Sequence, residues 1–457
     1  MSTDRSLRYN FFNLGLTRKA KLTIIYSFLL ALLFILSYIS PMDDKGVYVS
    51  IVIFLNLVGI AGFYLQFPLA GRFRFIALFN HTDWSIPQHK KMGYWIGAIF
   101  LLHPFLILAP KLGLSNSDAW LAIRTVTFAP EMLTGLIAWG LFIVWIGLSI
   151  FRRHIPIHYE IWRLWHSLGF IIISILATLH ITSVGSHGQL QSPFNILFWL
   201  LCVISITGTV YNYLLKPRLL KQQPFEVKEI KKVSRNDWKL TLTSNAQPHF
   251  KFEAGQFVWL NSNPSPYNLD YHPFSIASTI RQLPDISFII REWGDYTNQI
   301  GQLSIGQTVY VDGPFGQMSL KDSEGAKGIV LVAGGAGIAP MLSLLNQLAD
   351  NQDPRPIRLL YGNTSLDQMV MQKEIKGLEQ RMINFQQTLV CDQAPDNADV
   401  YLGVIDKFVL EKSLPESALQ HWSAYLCGPE QMIDSVCKNL VTMKMSKRHI
   451  YFEQLAF

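Results

Sequence analysis

Cysteine is scarce in this chain. Four in 457 residues, at Cys202, Cys391, Cys427 and Cys437, form no CxxC pair, which argues against a zinc site or a disulfide framework. Reduced thiols of this kind suit a cytoplasmic setting. Charge is also thin: 16% of residues are Asp, Glu, Lys or Arg, against 50% hydrophobic. No internal repeat or low-complexity tract occurs. No cleaved signal peptide is expected, because the first apolar run is too long and no small-residue cleavage site follows it. The net charge is +7, but the C-terminal half holds no basic patch interleaved with aromatics. Nucleic acid is therefore not an expected partner, and no obligatory protein partner is evident.

What the chain does have is apolar sequence, unevenly placed. Six runs read as membrane spans: Leu22–Ile39, Val47–Phe67, His89–Leu108, Glu131–Ile150, Trp162–Val184 and Phe194–Leu215. Each reaches or nears the roughly 20 residues that a bilayer crossing needs. From about Lys216 the sequence reads like a soluble protein. Lys and Arg set the orientation. Arg5, Arg8, Arg18, Lys19, Lys21, Arg72, Arg74, Lys90, Lys91, Arg152, Arg153, Arg163, Lys216, Arg218 and Lys221 fall on one side, fifteen in all, against Lys45, Lys111 and Arg124 on the other. The expectation is a multi-pass protein of the cell (plasma) membrane, with its N-terminus and its soluble half in the cytoplasm.

Four histidines lie in two matched pairs. His89 and His103 are fourteen positions apart, and so are His166 and His180. Fourteen steps of an α-helix make nearly four turns and about 21 Å, so both members of a pair face almost the same way. Ionisable groups inside a bilayer are costly and tend to be functional. Spans three and five run in the same direction, which pairs His89 with His166 at an inner level and His103 with His180 at an outer one. That geometry suits two haems, each iron held by two histidines. His81, His154 and His158 read as surface groups, and His187, beside Gly185 and Gly188, is a weak rival at the outer level. Phe100 and Phe170 fall between the levels, where core packing is the expected role. Arg124 is a weak candidate for attracting an anion at the outer face.

The soluble half opens with short alternating segments, among them Phe257–Leu260, Ile286–Arg291 and Thr308–Val311, separated by Gly, Pro and Asn turns. That pattern suggests a small antiparallel barrel. It contains Tyr271-His272-Pro273-Phe274-Ser275, Phe288-Ile289-Ile290-Arg291, Gly294-Asp295-Tyr296-Thr297 and Gly313-Pro314-Phe315-Gly316. A flavin needs an apolar face, hydrogen-bonding groups at its polar edge, and a cation with donors for its pyrophosphate. Beyond Lys327 a buried strand (Ile329–Val332) leads into Gly334-Gly335-Ala336-Gly337-Ile338-Ala339-Pro340 and a helix to about Leu348. A strand, a glycine loop and a helix with Pro in its first turn make a phosphate-binding arrangement. Ile357–Tyr361, Gln368–Glu379, Phe385–Val390 and Tyr425–Cys427 then alternate as strand and helix, with a helix from Pro429. This predicts a parallel α/β sheet.

The order of these parts resembles the ferredoxin-reductase-like FAD and NAD(P)H module. Behind six spans with two H-x13-H pairs, it resembles the ferric reductase and NADPH oxidase superfamily. Tyr159-Glu160-x-Trp162-Arg163-x-x-His166 and the ending His449-Ile450-Tyr451…Phe457 look most like bacterial NADPH oxidases. The resemblance implies a six-helix transmembrane bundle with two b-type haems over 1–221, an FAD-binding β-barrel over 222–324 and an NAD(P)H-binding Rossmann-like α/β domain over 325–457. It implies that His272, Pro273, Phe274 and Ser275 hold the flavin ring and ribityl chain, with Arg291 and Thr297 at its phosphates and Phe457 stacked on it. Gly334, Gly335, Gly337 and Pro340 would cradle NADPH or NADH, and Cys427, Gly428 and Pro429 would lie near the nicotinamide. The implied activity is electron transfer from cytoplasmic NAD(P)H through FAD and the haems to an external one-electron acceptor, with O2 giving superoxide as the leading reading. Ferric or cupric chelates are the closest rival acceptors. A haem protein relaying electrons to a partner and a non-enzymatic membrane protein are the readings from other classes. One departure is visible: Tyr361-Gly362-Asn363-Thr364-Ser365 offers no Arg or Lys where NADPH preference usually needs a cation.

Overall fold

In the computed structural model the described residues are 18–39, 46–73, 76, 78–79, 82–183, 192–244, 250–316, 318–395 and 398–453. The chain divides into two compact units, residues 1–215 and 216–457.

The first unit is helical: α1 (Arg18–Ile39), α2 (Gly46–Ala70), α3 (Thr82–Leu108), α4 (Asn116–Thr127), α5 (Leu133–Ile150), α6 (Tyr159–Ser183) and α7 (Ser192–Val210). All but α4 are long and apolar enough to cross a membrane. Large apolar side chains stand on the outside, among them Phe28, Trp95, Phe105, Leu102 and Ile196. Hydrocarbon, where a helix satisfies its own backbone, is the solvent that accepts such a surface. Helix α2 forms the centre of the bundle, with Leu57, Ile60, Phe63 and Tyr64 buried in one core together with Ile96, Phe142, Ile173 and Phe198. Helix α3 begins seven residues before the expected span, which puts His89 inside a continuous helix. Helix α4 was not expected. It is capped by Ser115, whose hydroxyl accepts from the Asp118 amide at 3.4 Å, and its exposed Trp120 and Leu121 share the short segment with Asp118 and Arg124.

A π-helical turn at Tyr211–Leu215 follows α7. The short helix α8 (Lys216–Lys221) comes next and belongs to the second unit rather than to the membrane bundle. The physical reason is a buried contact: Lys216 Nζ pairs with Asp312 Oδ2 at 3.2 Å, and Leu220 packs on the cluster of Trp259, Tyr271, Tyr310 and Phe315.

That cluster lies in a six-stranded antiparallel sheet: β1 (Phe225–Lys232), β2 (Asp237–Thr243), β3 (Phe257–Asn261), β4 (His272–Ser275), β5 (Asp285–Arg291) and β6 (Thr308–Phe315), in the order β4-β3-β6-β1-β2-β5. An isolated bridge between Ile276 and Phe288 joins the two edges and closes the barrel. Inward alternation fills it with Phe225, Val227, Leu240, Leu242, Phe288 and Ile290, each such burial contributing roughly 1.5–3 kcal/mol.

The rest is a parallel sheet of β7 (Gly328–Gly334), β8 (Ile357–Ser365), β9 (Phe385–Gln393), β10 (Tyr401–Leu402), β11 (Trp422–Cys427) and β12 (Ile450–Glu453), ordered β10-β9-β8-β7-β11-β12. Helices α9 (Ile338–Asp350), α10 (Gln372–Arg381), α11 (Lys407–Ser413) and α12 (Glu430–Thr442) alternate with the strands. Every residue of β7 is buried, as expected of a strand covered on both faces. The chain leaves β7 towards β8 on one side and later fills β11 on the other. The crevice of a doubly wound sheet opens at such a reversal, at the carboxyl ends of the strands. The expected fold class is borne out: a helical membrane bundle followed by an antiparallel barrel and a Rossmann-like domain.

Candidate functional site

Two groups of histidines come together in the membrane unit. His89 (α3) and His166 (α6) face each other with ring centroids 6.1 Å apart and planes at 73°. Two imidazoles on opposite sides of one metal ion, each bound through about 2 Å, hold their centroids roughly 6 Å apart. The Nδ1 atom of each ring is already engaged, His89 with the Gln66 carbonyl at 3.2 Å and His166 with the Ser149 hydroxyl at 3.0 Å. Such anchoring fixes ring orientation and leaves Nε2 for a metal. Trp162 packs on His166 at 4.9 Å, and Arg152 lies 5.5 Å from the Trp162 ring.

His103 (α3) and His180 (α6) line one cavity of about 310 Å3 together with Phe100, Gly135, Trp139 and Phe142. His180 Nδ1 is buried there without a hydrogen-bond partner among the described residues. The donor chemistry at both levels fits a metal held by imidazole. Between the levels Phe63, Phe100, Phe142 and Phe170 form a contiguous aromatic cluster, with neighbouring centroids 5.6–6.2 Å apart. Phe170 also meets His166 at 4.8 Å. His154 and His158 are exposed, as is Arg124 in the last turn of α4. His81, His187, Arg5, Arg8, Arg74, Lys45 and Phe457 lie outside the described residues.

In the soluble unit His272, Pro273, Phe274 and Ser275 form strand β4 against β3. His272 donates from Nε2 to Asp270 Oδ1 at 2.6 Å and stacks on Tyr296 at 4.2 Å. Phe274 lies nearly parallel to the same ring at 6.0 Å. Three flat faces thus meet where an aromatic ring system would be held. Burial pushes the Tyr296 hydroxyl up to about 12, although a hydrogen bond with Ser262 opposes the rise. Thr297 is committed to its own loop, its hydroxyl accepting from the amides of Trp293 and Gly294 at 2.8 and 3.0 Å. Arg291 makes a two-point ion pair with Asp237, 2.9 and 3.2 Å, and reaches Asn363 at 3.5 Å.

The glycine loop and Cys427-Gly428-Pro429 come together at the crevice between β7 and β11. Gly335 has φ +54, open to glycine, and a Cβ there would collide with the Arg291 guanidinium at 2.5 Å. At Gly337 a Cβ would fall 2.1 Å from the Cys427 carbonyl oxygen. Pro340 sits in the first turn of α9. The Cys427 thiol is buried, which pushes its ionisation far up, and the Glu453 carboxylate adds to the rise. Sequence reading missed Asp237, the contact between Asn363 and Arg291, Tyr296 as a stacking face, and the buried Glu453 at the end of β12. Only the GDYT motif carried a local signal.

Three family models match the chain. "Ferric reductase like transmembrane component" matches residues 55–177, "FAD-binding domain" residues 222–319 and "Oxidoreductase NAD-binding domain" residues 331–438. Among curated relatives, the reductase component of propane 2-monooxygenase from Mycolicibacterium goodii is 26% identical over 55% of this chain and 73% of its own. NADH-cytochrome b5 reductase 1 from Kluyveromyces lactis is 25% identical over 56% of this chain and 92% of its own. Similar solved structures include the Amycolatopsis cytochrome P450 reductase GcoB, at TM-score 0.45 and 24% identity over 51% of this chain and 69% of its own. The FAD/NAD-binding domain of nitric oxide dioxygenase from Vibrio cholerae matches at TM-score 0.45 and 20% identity, over 50% of this chain and 97% of its own. The protein is therefore a membrane-anchored, flavin- and NAD(P)H-dependent electron-transfer oxidoreductase with multiple spans. Its three matched regions, in that order, make the architecture of the ferric reductase and NADPH oxidase superfamily.

Proposed function

We propose that the protein moves electrons across the plasma membrane, from cytoplasmic NAD(P)H through FAD and two b-type haems to a one-electron acceptor outside, with O2 giving superoxide. The observation that carries this reading is the four-histidine arrangement on α3 and α6, with His89 and His166 ring to ring at 6.1 Å and His103 and His180 on one cavity. When bound, flavin supplies the change from two-electron to one-electron chemistry and each haem iron carries one electron. His89 and His166 would hold the inner iron, and His103 and His180 the outer one. With a histidine from α3 and one from α6 at each level, these residues would leave a bound iron no open site, so the acceptor would be reduced without binding the metal. Gln66 and Ser149 orient the inner imidazoles. His272, Phe274 and Tyr296 would bind the flavin's flat face, and Phe457 would cover it. The loop at Gly334, Gly335, Gly337 and Pro340 would take the nucleotide phosphates, beside Cys427, Gly428 and Pro429. Lys and Arg in the loops support a cytoplasmic soluble half.

The description of the matched membrane family, a ferric reductase like component, supports a second reading in which ferric chelates are the acceptor. An anaerobic spectrum of the purified protein, with FAD and then NADH or NADPH added, tests the whole path. Low-spin haem bands should become reduced only when both are present, and fewer than two haems per chain would refute it. Superoxide-dismutase-sensitive reduction of cytochrome c, run beside ferric-chelate reduction, separates the two acceptors.

A further inference from the structure

We infer that Tyr64 on α2 and Thr178 on α6 set the rotation of α6 and so aim His180, which makes Tyr64 a positioning residue for the outer histidine pair. The inference rests on the reading that His103 and His180 hold the outer iron, and it adds what orients that pair.

The two levels are held differently. At the inner level each imidazole has its own anchor, His89 on the Gln66 carbonyl and His166 on the Ser149 hydroxyl. The stretch of α6 around His166 is also held by α5. Trp145 Nε1 donates to the Trp165 carbonyl at 3.0 Å, and the indole fills the space above Gly169, where a Cβ would fall 1.5 Å from that nitrogen. At the outer level His180 Nδ1 has no hydrogen-bond partner among the described residues. The direction of this ring therefore follows from where α6 places the backbone of residue 180.

Thr178 supplies the hold. It comes two residues before His180, about 200° away round the helix, so it grips α6 from the side turned away from the imidazole. Tyr64 Oη and Thr178 Oγ1 are 2.7 Å apart, and both residues are buried. Thr178 donates its one hydroxyl proton to the Ser174 carbonyl at 2.7 Å. In the bond between the helices Tyr64 is thus the donor and Thr178 the acceptor. One turn earlier on the same face, Ser174 Oγ donates to Cys202 Sγ of α7 at 3.5 Å. This polar row faces α2 and α7, while His180 lines the cavity it shares with His103. Lipid tails are as apolar as the side chains they meet, so burial alone does little to choose one rotation of a membrane helix over another, and a directional bond does. A hydroxyl left unpaired in that interior costs free energy, which disfavours any rotation that separates the two groups. Turning α6 by one residue is about 100°, enough to take His180 out of the cavity.

The test uses the purified full-length protein, with low-spin EPR and haem content as readouts that do not depend on turnover. The signal missing from His180→Ala identifies the outer haem. Tyr64→Phe keeps the ring, which packs on Phe63 and Phe198, and removes the donor. Thr178→Val keeps the shape and removes the acceptor. Each should shift the g values of the outer signal alone and speed the loss of that haem to apomyoglobin severalfold, while the inner signal stays in place. Thr178→Ser, which keeps the hydroxyl, should restore the original spectrum. Thr182→Val, which loses a hydroxyl bonded only within its own helix, to the Thr178 carbonyl at 2.8 Å and the Leu179 carbonyl at 3.4 Å, should leave that spectrum unchanged. An outer signal that neither Tyr64→Phe nor Thr178→Val moves overturns the inference. So do equal shifts of both signals, which mark a general loosening of the bundle. If the unaltered protein binds fewer than two haems, the proposed function fails and this inference falls with it.

Discussion

Gly135 on α5 stands directly against His180 on α6: a Cβ added at Gly135 would come within 2.6 Å of the imidazole ring. The absence of a side chain on one helix thus sets where the ring on the next can lie. Gly135→Ala should force His180 aside and, under the proposed function, out of reach of the outer metal. On the proposed two-haem reading, the haem content, read from the pyridine haemochrome spectrum, should fall from two per chain towards one. Nucleotide oxidation with ferricyanide, which needs only the soluble module, should persist. Gly140→Ala is the control, because nothing lies within 4 Å of its Cβ position.

At the inner level Ser149 makes a comparable claim. Its hydroxyl meets His166 Nδ1 at 3.0 Å while also donating to the Trp145 carbonyl at 2.7 Å. Partners of this kind fix ring orientation, and their loss weakens metal affinity by 10- to 100-fold in general. Ser149→Ala should therefore weaken haem retention about tenfold and alter the low-spin EPR signal of one haem. An unchanged EPR spectrum would show that the hydroxyl does not orient the ring.

The sequence made the histidine pairs legible because a helix has a fixed period, and fourteen residues return to one face whatever surrounds them. The glycine loop was legible for a similar reason: a buried strand, φ-permissive residues and a helix start are adjacent in the chain. Asp237 and Asn363 were not, since they meet Arg291 from 54 and 72 residues away. Gln66 orients His89 through a backbone carbonyl, which any residue would supply. Helix α4 was hidden because twelve residues between two spans, with Asp118 and Arg124 among them, read as a loop. A lysine after an apolar run looks like a membrane-exit signal, and only the fold shows that Lys216 has a partner at Asp312.

Alkaline pH should destabilise the soluble unit in a definite window. The buried hydroxyl of Tyr296 is raised from 10.0 to about 12, and burial raises Tyr361 and Tyr425 as well. Below pH 10 both folded and unfolded chains keep these protons, and the stabilisation is complete. Above it the unfolded chain loses them first, so stability falls as pH rises towards 12. The slope is at most about 1.4 kcal/mol per pH unit for each tyrosine. Urea midpoints measured from pH 9 to 11.5 should decline, and Tyr296→Phe should lessen the decline while keeping the stack on His272.

The pair of Lys216 and Asp312 tests how α8 is held on the barrel. Both side chains are almost fully buried, at 7% and 4% exposure, and Lys216 Nζ also lies 5.9 Å from the Phe315 ring. Taking a charge out of water is expensive, so removing one partner leaves the other uncompensated and costs about 3–5 kcal/mol. Lys216→Ala or Asp312→Ala should thus lower the Tm by roughly 10 °C in a domain of this size, followed by the fluorescence of released flavin. Replacing both together, as Lys216→Met with Asp312→Leu, removes the two charges and keeps the volume. That double variant should lose much less than either single one. Losses that simply add would mean that the two charges do not stabilise each other, and that α8 is held by Leu220 and its aromatic neighbours alone.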